Sequence, residues 1–124
     1  MKKILIIDDD EDFSELVHYT LKGCGFSLMK AHDGESGMER AVKELPDLVL
    51  LDMVMPRKNG IEMLEELKSN EITGNIPVIM LSGYREEDRI LQARQLGVVD
   101  YVTKPFSPLT LLQSVYKALG MECL

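Results

Sequence analysis

The residues with the clearest chemical potential in this 124-residue chain are carboxylates, a hydroxyl and an amine that follow short apolar segments. They are Asp8, Asp9, Asp52, Ser82 and Lys104. Two ionised carboxylates about 4 Å apart repel each other by roughly 4 kcal/mol at an effective dielectric constant of about 20, so an acidic cluster needs positive charge nearby. A hard divalent cation such as Mg²⁺ tolerates one or two direct carboxylates and keeps several waters, and Lys104 would add a second positive charge. The residues therefore predict a metal-binding acidic pocket if the fold brings them together.

Five short apolar segments alternate with amphipathic stretches, the pattern that produces βαβ units and a parallel sheet buried on both faces. The predicted strands cover residues 4–7, 27–31, 48–51, 78–81 and 98–102. The second segment alternates polar and apolar residues, which indicates a strand at an edge of the sheet. Because ligands bind beyond the carboxyl ends of parallel strands, the reactive residues are predicted to collect at one end of the sheet.

Between the strands, apolar residues recur at the spacing of three and four that is typical of amphipathic helices. The predicted buried faces are Phe13, Leu16, Val17 and Leu21; Met38, Ala41, Val42 and Leu45; Ile61, Leu64 and Leu67; Ile90, Ala93 and Leu96; and Leu109, Leu112, Tyr116 and Leu119. Ser107 followed by Pro108 predicts a capped start for the last helix. The acidic residues 10–12 are predicted to begin the first helix, where negative charge is stabilised by the positive end of the helix dipole.

Composition excludes several classes of function. The chain has 14 basic and 21 acidic residues, a formal charge of -7, which argues against direct binding to nucleic acid or to an anionic membrane. Cys24 and Cys123 are far apart and belong to no Cys/His cluster, which disfavours a zinc site and a disulfide framework. The first apolar segment is too short for a signal peptide or a membrane span. A cytoplasmic protein is therefore expected.

Four motifs occur in order along the chain: the apolar segment 4–7 with Asp8-Asp9, Leu51-Asp52-Met53-Val54-Met55-Pro56 with Asn59-Gly60, Leu81-Ser82-Gly83, and Tyr101-Val102-Thr103-Lys104-Pro105-Phe106. With these motifs the chain resembles a response-regulator receiver domain of two-component signalling, of the chemotaxis-regulator type. The resemblance covers essentially residues 2–119. It implies one doubly wound (βα)5 flavodoxin-like α/β domain over residues 1–124, with a parallel sheet of strand order 2-1-3-4-5.

The resemblance also implies a metal site. In domains of this family, the residues equivalent to Asp9 and Asp52 ligate Mg²⁺, for which Mn²⁺ is a possible substitute. By the same resemblance, Asp8 holds the ion through water and the backbone carbonyl of Val54 completes the ligands from the protein.

The phosphoryl chemistry is implied in the same way. Asp52 would be the phosphoacceptor, receiving the group from a sensor histidine kinase, a histidine phosphotransfer protein or a small phosphodonor. An aspartyl phosphate is chemically reasonable because a carboxylate can act as the nucleophile. Lys104 and the Ser82 hydroxyl would contact the phosphoryl oxygens, and the peptide bond before Pro105 is expected to be cis.

The switch implied by the resemblance joins Ser82 to Tyr101. Phosphorylation would draw Ser82 inward and let the Tyr101 ring turn inward, which would reshape the face formed by the fourth helix, fifth strand and fifth helix for a downstream protein or output domain. An apolar Val54 and a bulky Tyr84 leave little to orient an attacking water. Slow self-dephosphorylation is therefore predicted, and a phosphoryl lifetime of only seconds in magnesium buffer would count against it.

Three other classes of protein fit the residues less well. A haloacid-dehalogenase-like phosphatase generally needs a second acidic residue two positions after its nucleophile, where this chain has Val54. It also needs a segment that caps the substrate, for which the chain has no spare length. A receiver-like domain that only binds partners would not need the whole reactive set, and a dinucleotide or flavin module would need a glycine-rich loop. We therefore expect a signalling switch rather than an enzyme with a separate substrate, either acting alone or as the receiver of something longer.

Overall fold

A computed structural model of the protein describes residues 1–55, 58–83 and 87–121. Within these ranges, five strands alternate with five helices. The strands are β1 (Lys3–Ile7), β2 (Ser27–Ala31), β3 (Leu48–Asp52), β4 (Val78–Ser82) and β5 (Asp100–Thr103). The helices are α1 (Glu11–Lys22), α2 (Gly34–Glu44), α3 (Gly60–Ser69), α4 (Glu87–Gln95) and α5 (Pro108–Ala118). The predicted α/β fold class and its element order are confirmed.

The five strands form one parallel sheet in the order β2-β1-β3-β4-β5. β2 lies at an edge, as its alternating sequence predicted, and the flavodoxin-like order implied by the resemblance is confirmed. In the register of β1 and β3, Ile7 is paired with Leu51. The next residues, Asp8 just after β1 and Asp52 at the end of β3, therefore lie side by side at this end of the sheet.

The sheet is covered on both faces because successive residues of a strand point to opposite sides. Ile4 and Ile6 pack in one core with residues of α1 and α5. Leu5 and Ile7 pack in the other core with residues of α2, α3 and α4. Both cores keep water away from the strands. The polar residues of the site lie instead at the carboxyl ends of the strands.

Three leucines predicted to be buried are exposed, and these predictions were wrong. They are Leu16, Leu45 and Leu109. Leu45 leaves the helical path, since it is the C-cap of α2 in the left-handed region at φ 49°. In α5, the fully buried apolar residues are Leu111 and Val115. Apolar residues occur at many positions between 109 and 119. Their spacing alone was therefore compatible with more than one buried face of α5.

The start of the fifth strand also differs from the prediction. Val98 and Val99 precede β5, which begins at Asp100. The Val98 N–H donates to the Ala93 carbonyl oxygen at 3.2 Å, and Gly97 between them has φ 94°. Val98 therefore belongs to the turn after α4, whereas the Val99 N–H already donates to the Val78 carbonyl oxygen of β4 at 2.9 Å, one residue before β5 begins.

Side-chain caps begin the helices nearest the reactive end of the sheet. The Asp10 carboxylate accepts the Phe13 N–H at 3.1 Å, which makes the acidic run the start of α1, as predicted. The Ser107 hydroxyl accepts the Thr110 N–H at 3.1 Å, with Pro108 at the start of α5, which is also as predicted.

Cys24 is a free thiol, and Cys123 lies outside the described residues. Of the helices described, none has the length and apolar character needed to cross a membrane.

Candidate functional site

The carboxyl ends of four strands bring the predicted reactive residues to one end of the sheet. Asp8 follows β1, Asp52 ends β3, Ser82 ends β4 and Lys104 follows β5. One carboxylate oxygen from each of Asp8, Asp9 and Asp52 can be chosen so that all lie within 4.8 Å of one another. The cluster that the sequence predicted is thus present in the fold.

Lys104 supplies the positive charge of this cluster. Its Nζ lies 3.2 Å from Oδ1 of Asp52 and 3.6 Å from Oδ2 of Asp8. The backbone helps to place it, because the Lys104 N–H donates to the Ser82 carbonyl oxygen at 2.7 Å. The Lys104–Pro105 peptide bond is cis, as expected from the sequence.

Two of the three aspartates are buried, and burial raises the pKa of both. Asp8 is 1% exposed and Asp52 is 6% exposed, whereas Asp9 is exposed. Burial raises the pKa of Asp8 to about 6, although the Asp10 N–H, which donates to it at 2.9 Å, acts in the opposite direction. Burial also raises the pKa of Asp52, and the charge of Lys104 opposes this effect. The cost of ionising this pocket makes it receptive to a further cation.

The donor set fits a hard divalent cation. Three carboxylates converge, and Oδ2 of Asp8 is a buried oxygen that accepts no hydrogen bond from the described residues. The Lys104 Nζ lies 3.6 Å from this oxygen, beyond hydrogen-bond distance, and a cation or its bound water would supply a closer partner. No sulfur or imidazole ligand belongs to this group, so its chemistry favours Mg²⁺ or Mn²⁺ over softer metals.

The buried Asp8 carboxyl predicts how stability depends on pH. In the metal-free fold its pKa is about 6 against an ordinary 3.8, so between those values the folded state binds more protons than the unfolded chain. The free energy of unfolding therefore falls as pH rises through this window. Asp8→Asn, which cannot ionise, is expected to raise the free energy of unfolding near neutral pH by about 1–3 kcal/mol.

Urea denaturation without divalent cations would measure this gain, and the gain should shrink as pH is lowered towards 4. Asp12→Asn is a matched control, since Asp12 is exposed in the first turn of α1. The control is expected to change stability by only a few tenths of a kcal/mol. An Asp8→Asn protein that is less stable than wild type at neutral pH would contradict the prediction.

Two contacts in the site were not predicted from the sequence. Gly60 starts α3 and donates its N–H to the Met53 carbonyl oxygen at 2.8 Å. A Cβ at position 60 would lie 2.5 Å from the backbone oxygen of Asp52. Phe13, predicted only as a core residue, lies beside Lys104, whose Nζ is 3.7 Å from the centre of the ring. An aromatic residue one turn beyond an acidic loop was the only sequence signal for this contact.

Other predicted residues have simpler outcomes. Val54 is exposed, and its proposed role as a carbonyl ligand stays a prediction. Tyr101 is 8% exposed and packs in the core that contains α3 and α4. Pro56 and Tyr84 lie outside the described residues, so slow self-dephosphorylation stays a prediction.

Comparison with known proteins adds independent information to this geometry. Residues 4–116 match the protein-family model described as the response regulator receiver domain. The chain belongs to the response-regulator receiver family. It is a receiver domain of two-component signalling, and such domains are signalling domains rather than enzymes that turn over a separate substrate.

Relatives of this receiver include longer regulators. The phosphate regulon transcriptional regulatory protein PhoB of Pseudomonas aeruginosa is 40% identical over 122 residues, which are 96% of this chain and 53% of that protein. The alkaline phosphatase synthesis transcriptional regulatory protein PhoP of Bacillus subtilis is 41% identical over 108 residues, 86% of this chain and 44% of that protein. The chain thus spans about half the length of these curated relatives.

Solved structures agree with the fold of the receiver. The chemotaxis protein CheY4 of Vibrio cholerae superposes with a TM-score of 0.90 at 27% identity, covering 96% of this chain and 99% of that one. A putative response regulator from Chloroflexus aurantiacus gives a TM-score of 0.91 at 28% identity, covering 96% of this chain and 98% of that one. The similarity to chemotaxis-type receivers noted in the sequence is confirmed.

Proposed function

We propose that residues 1–124 form one cytoplasmic receiver that accepts a phosphoryl group on Asp52 and responds by changing a partner-binding face. The observation that carries this proposal is the position of Lys104, whose Nζ lies 3.2 Å from Asp52 within a cluster of three carboxylates. A buried carboxylate paired with a lysine beside further acids combines a nucleophile with charge neutralisation. These are the two requirements of phosphoryl transfer to an aspartate.

The transfer is a substitution at phosphorus. An oxygen of Asp52 attacks the phosphoryl group of a phosphohistidine on a kinase or phosphotransfer protein, and a P–O bond forms as the P–N bond breaks. The electron pair leaves with the imidazole nitrogen, which takes a proton from solvent. With acetyl phosphate, the bond to the acetyl oxygen breaks and acetate leaves.

The receiver's own side chains prepare this step. Lys104 favours the ionised form of the nucleophile by opposing the effect of burial on the Asp52 pKa. Its ammonium and the Ser82 hydroxyl would then bind phosphoryl oxygens, which places positive charge and a hydrogen-bond donor where negative charge accumulates. Both residues come from neighbouring strand ends, joined by the hydrogen bond from the Lys104 N–H to the Ser82 carbonyl.

A divalent cation completes the proposal. Asp9 and Asp52 would ligate Mg²⁺ or Mn²⁺ directly, Asp8 would hold it through water, and the carbonyl of Val54 would be the remaining ligand from the protein. When bound, the ion supplies charge neutralisation at the phosphoryl oxygens. Oδ2 of Asp8, which is buried and accepts no hydrogen bond from the described residues, supports this assignment.

The proposed switch uses Ser82 and Tyr101 to alter the face formed by α4, β5 and α5. In the register of β4 and β5, Ser82 pairs with Thr103, two residues after Tyr101. Phosphorylation would draw Ser82 inward and let the ring of Tyr101, a residue that is 8% exposed, turn inward. A downstream protein or output domain would read the altered face.

Intact-mass measurement after incubation with acetyl phosphate and Mg²⁺ tests the proposed function. We expect a gain of one phosphoryl group, and we expect the gain to disappear when a chelator removes the metal. A receiver that binds Mg²⁺ yet gains no mass would favour a domain that only binds partners. Uptake that persists in the chelator would contradict the metal assignment.

A further inference from the structure

We propose that Phe13 is a positioning residue for Lys104, and that its ring holds the lysine ammonium against Asp52 by a cation–π contact. The inference rests on the proposed function, since the position of Lys104 matters only if this side chain meets the phosphoryl group. Phe13 lies outside the four motifs on which the resemblance to receiver domains rests.

The geometry of the contact is favourable. Nζ of Lys104 lies 3.7 Å from the centre of the Phe13 ring, well inside the limit of about 6 Å for a cation–π interaction. The lysine side chain is only 23% exposed, and Phe13 is half-buried. Because the ammonium is partly withdrawn from water, the attraction of the ring face is stronger than at an open surface.

Both the backbone and the ring of Phe13 are held in place. The Phe13 backbone N–H donates to the Asp10 carboxylate that caps α1, and the Asp10 N–H donates to the Asp8 carboxylate. On the other side, the ring packs against Phe106 with the centroids 5.6 Å apart and the planes at 83°. This edge-to-face pair connects α1 to the segment after β5, which carries Lys104.

A fixed ring matters because a lysine side chain is long and flexible, with about 2 kcal/mol of rotamer entropy. Asp52 and Asp8 attract the ammonium from one side, and the negative face of Phe13 attracts it as well. The ammonium is therefore already at the site when a phosphoryl group arrives. A leucine at position 13 would retain apolar contact but would lack the electrostatic attraction of an aromatic face.

The test is the rate of phosphoryl uptake from acetyl phosphate at saturating Mg²⁺, measured by intact mass. Phe13→Leu is expected to slow uptake by about three- to tenfold, the range that corresponds to a partly desolvated cation–π contact. Phe13→Tyr retains the ring and is expected to stay within about twofold of wild type. In a Lys104→Met background, Phe13→Leu should produce no further change, because the lysine through which it acts is absent.

Phe26→Leu is the matched control for loss of a buried ring. Phe26 packs on Tyr116, with the ring centroids 5.8 Å apart, and lines a groove with Met1 and Met121. We expect this variant to lose thermal stability without slowing uptake. Equal slowing by Phe26→Leu, or a wild-type rate for Phe13→Leu, would overturn the inference.

Three outcomes distinguish this inference from the proposed function. Slowing by Phe13→Leu that persists undiminished in the Lys104→Met background would also overturn the role of the ring. A wild-type receiver that takes up no phosphoryl group would instead refute the proposed function. Normal wild-type uptake together with an unaffected Phe13→Leu variant would refute the positioning role alone.

Discussion

Asp52→Asn is expected to abolish phosphoryl uptake from acetyl phosphate in Mg²⁺, leaving no mass gain when wild type is fully modified. The amide keeps the shape of the side chain but has no anionic oxygen to attack phosphorus. Asp52 is also one of the three carboxylates proposed to hold the cation, so the substitution weakens both parts of the site. Intact mass, followed by peptide mapping of the modified wild type, measures the effect and identifies the acceptor.

Asp47→Asn is the control on the same chain segment. Asp47 immediately precedes β3, at the opposite end from Asp52, and its carboxylate accepts the Lys3 N–H at 2.8 Å. This variant loses the same charge but should take up phosphoryl groups at the rate of wild type. A modified Asp52→Asn protein would show that the acceptor lies elsewhere in the chain.

Gly60→Ala is expected to slow phosphoryl uptake by about tenfold or more, because the catalytic strand end would have to move. The added Cβ would lie 2.5 Å from the Asp52 backbone oxygen and 2.7 Å from the Met53 Cα. Both are backbone atoms at the end of β3, so the contact cannot be relieved by rotating a side chain. We also expect the free energy of unfolding to fall by about 1–3 kcal/mol, as in other overpacked sites.

The direction of this stability change is informative, since alanine favours a helix over glycine by about 1 kcal/mol when nothing obstructs it. Gly23→Ala provides the comparison. Gly23 ends α1 with φ -71°, and a Cβ there would meet no atom within 4 Å. Gly23→Ala should leave uptake unchanged and stability the same or slightly higher. Similar behaviour of the two alanine variants in uptake and in urea denaturation would argue against the close approach at Gly60.

The reactive residues could be predicted because each follows directly after an apolar strand. Asp52 and Ser82 end β3 and β4, and Lys104 comes one residue after β5. In a parallel sheet, all such ends lie on the same side, so local pattern and one rule of topology bring them together. The strand order needed more than local pattern, and here it came from the resemblance to receiver domains.

Side-chain packing between distant segments was harder to predict. The predicted inner face of α5 was Leu109, Leu112, Tyr116 and Leu119. The last three pack against the core, but Leu109 is exposed, and the fully buried residues are Leu111 and Val115. More than one rotation of α5 about its axis would turn apolar residues towards the sheet, and only the packing against the sheet decides which rotation is adopted. Leu45 shows the same limit, because a helix ending in the left-handed region turns an apparently periodic leucine out to solvent.

By itself, the sequence determined the α/β class, the alternation of ten elements and the residue types at the strand ends, because these depend on local periodicity and local hydrogen bonding. Only the tertiary structure decided that Phe13 covers Lys104 and that Gly60 touches the backbone of Asp52. Each of these contacts joins segments that are separate in the chain. Their distances depend on how helices pack against the sheet, and no local pattern of residues encodes that packing.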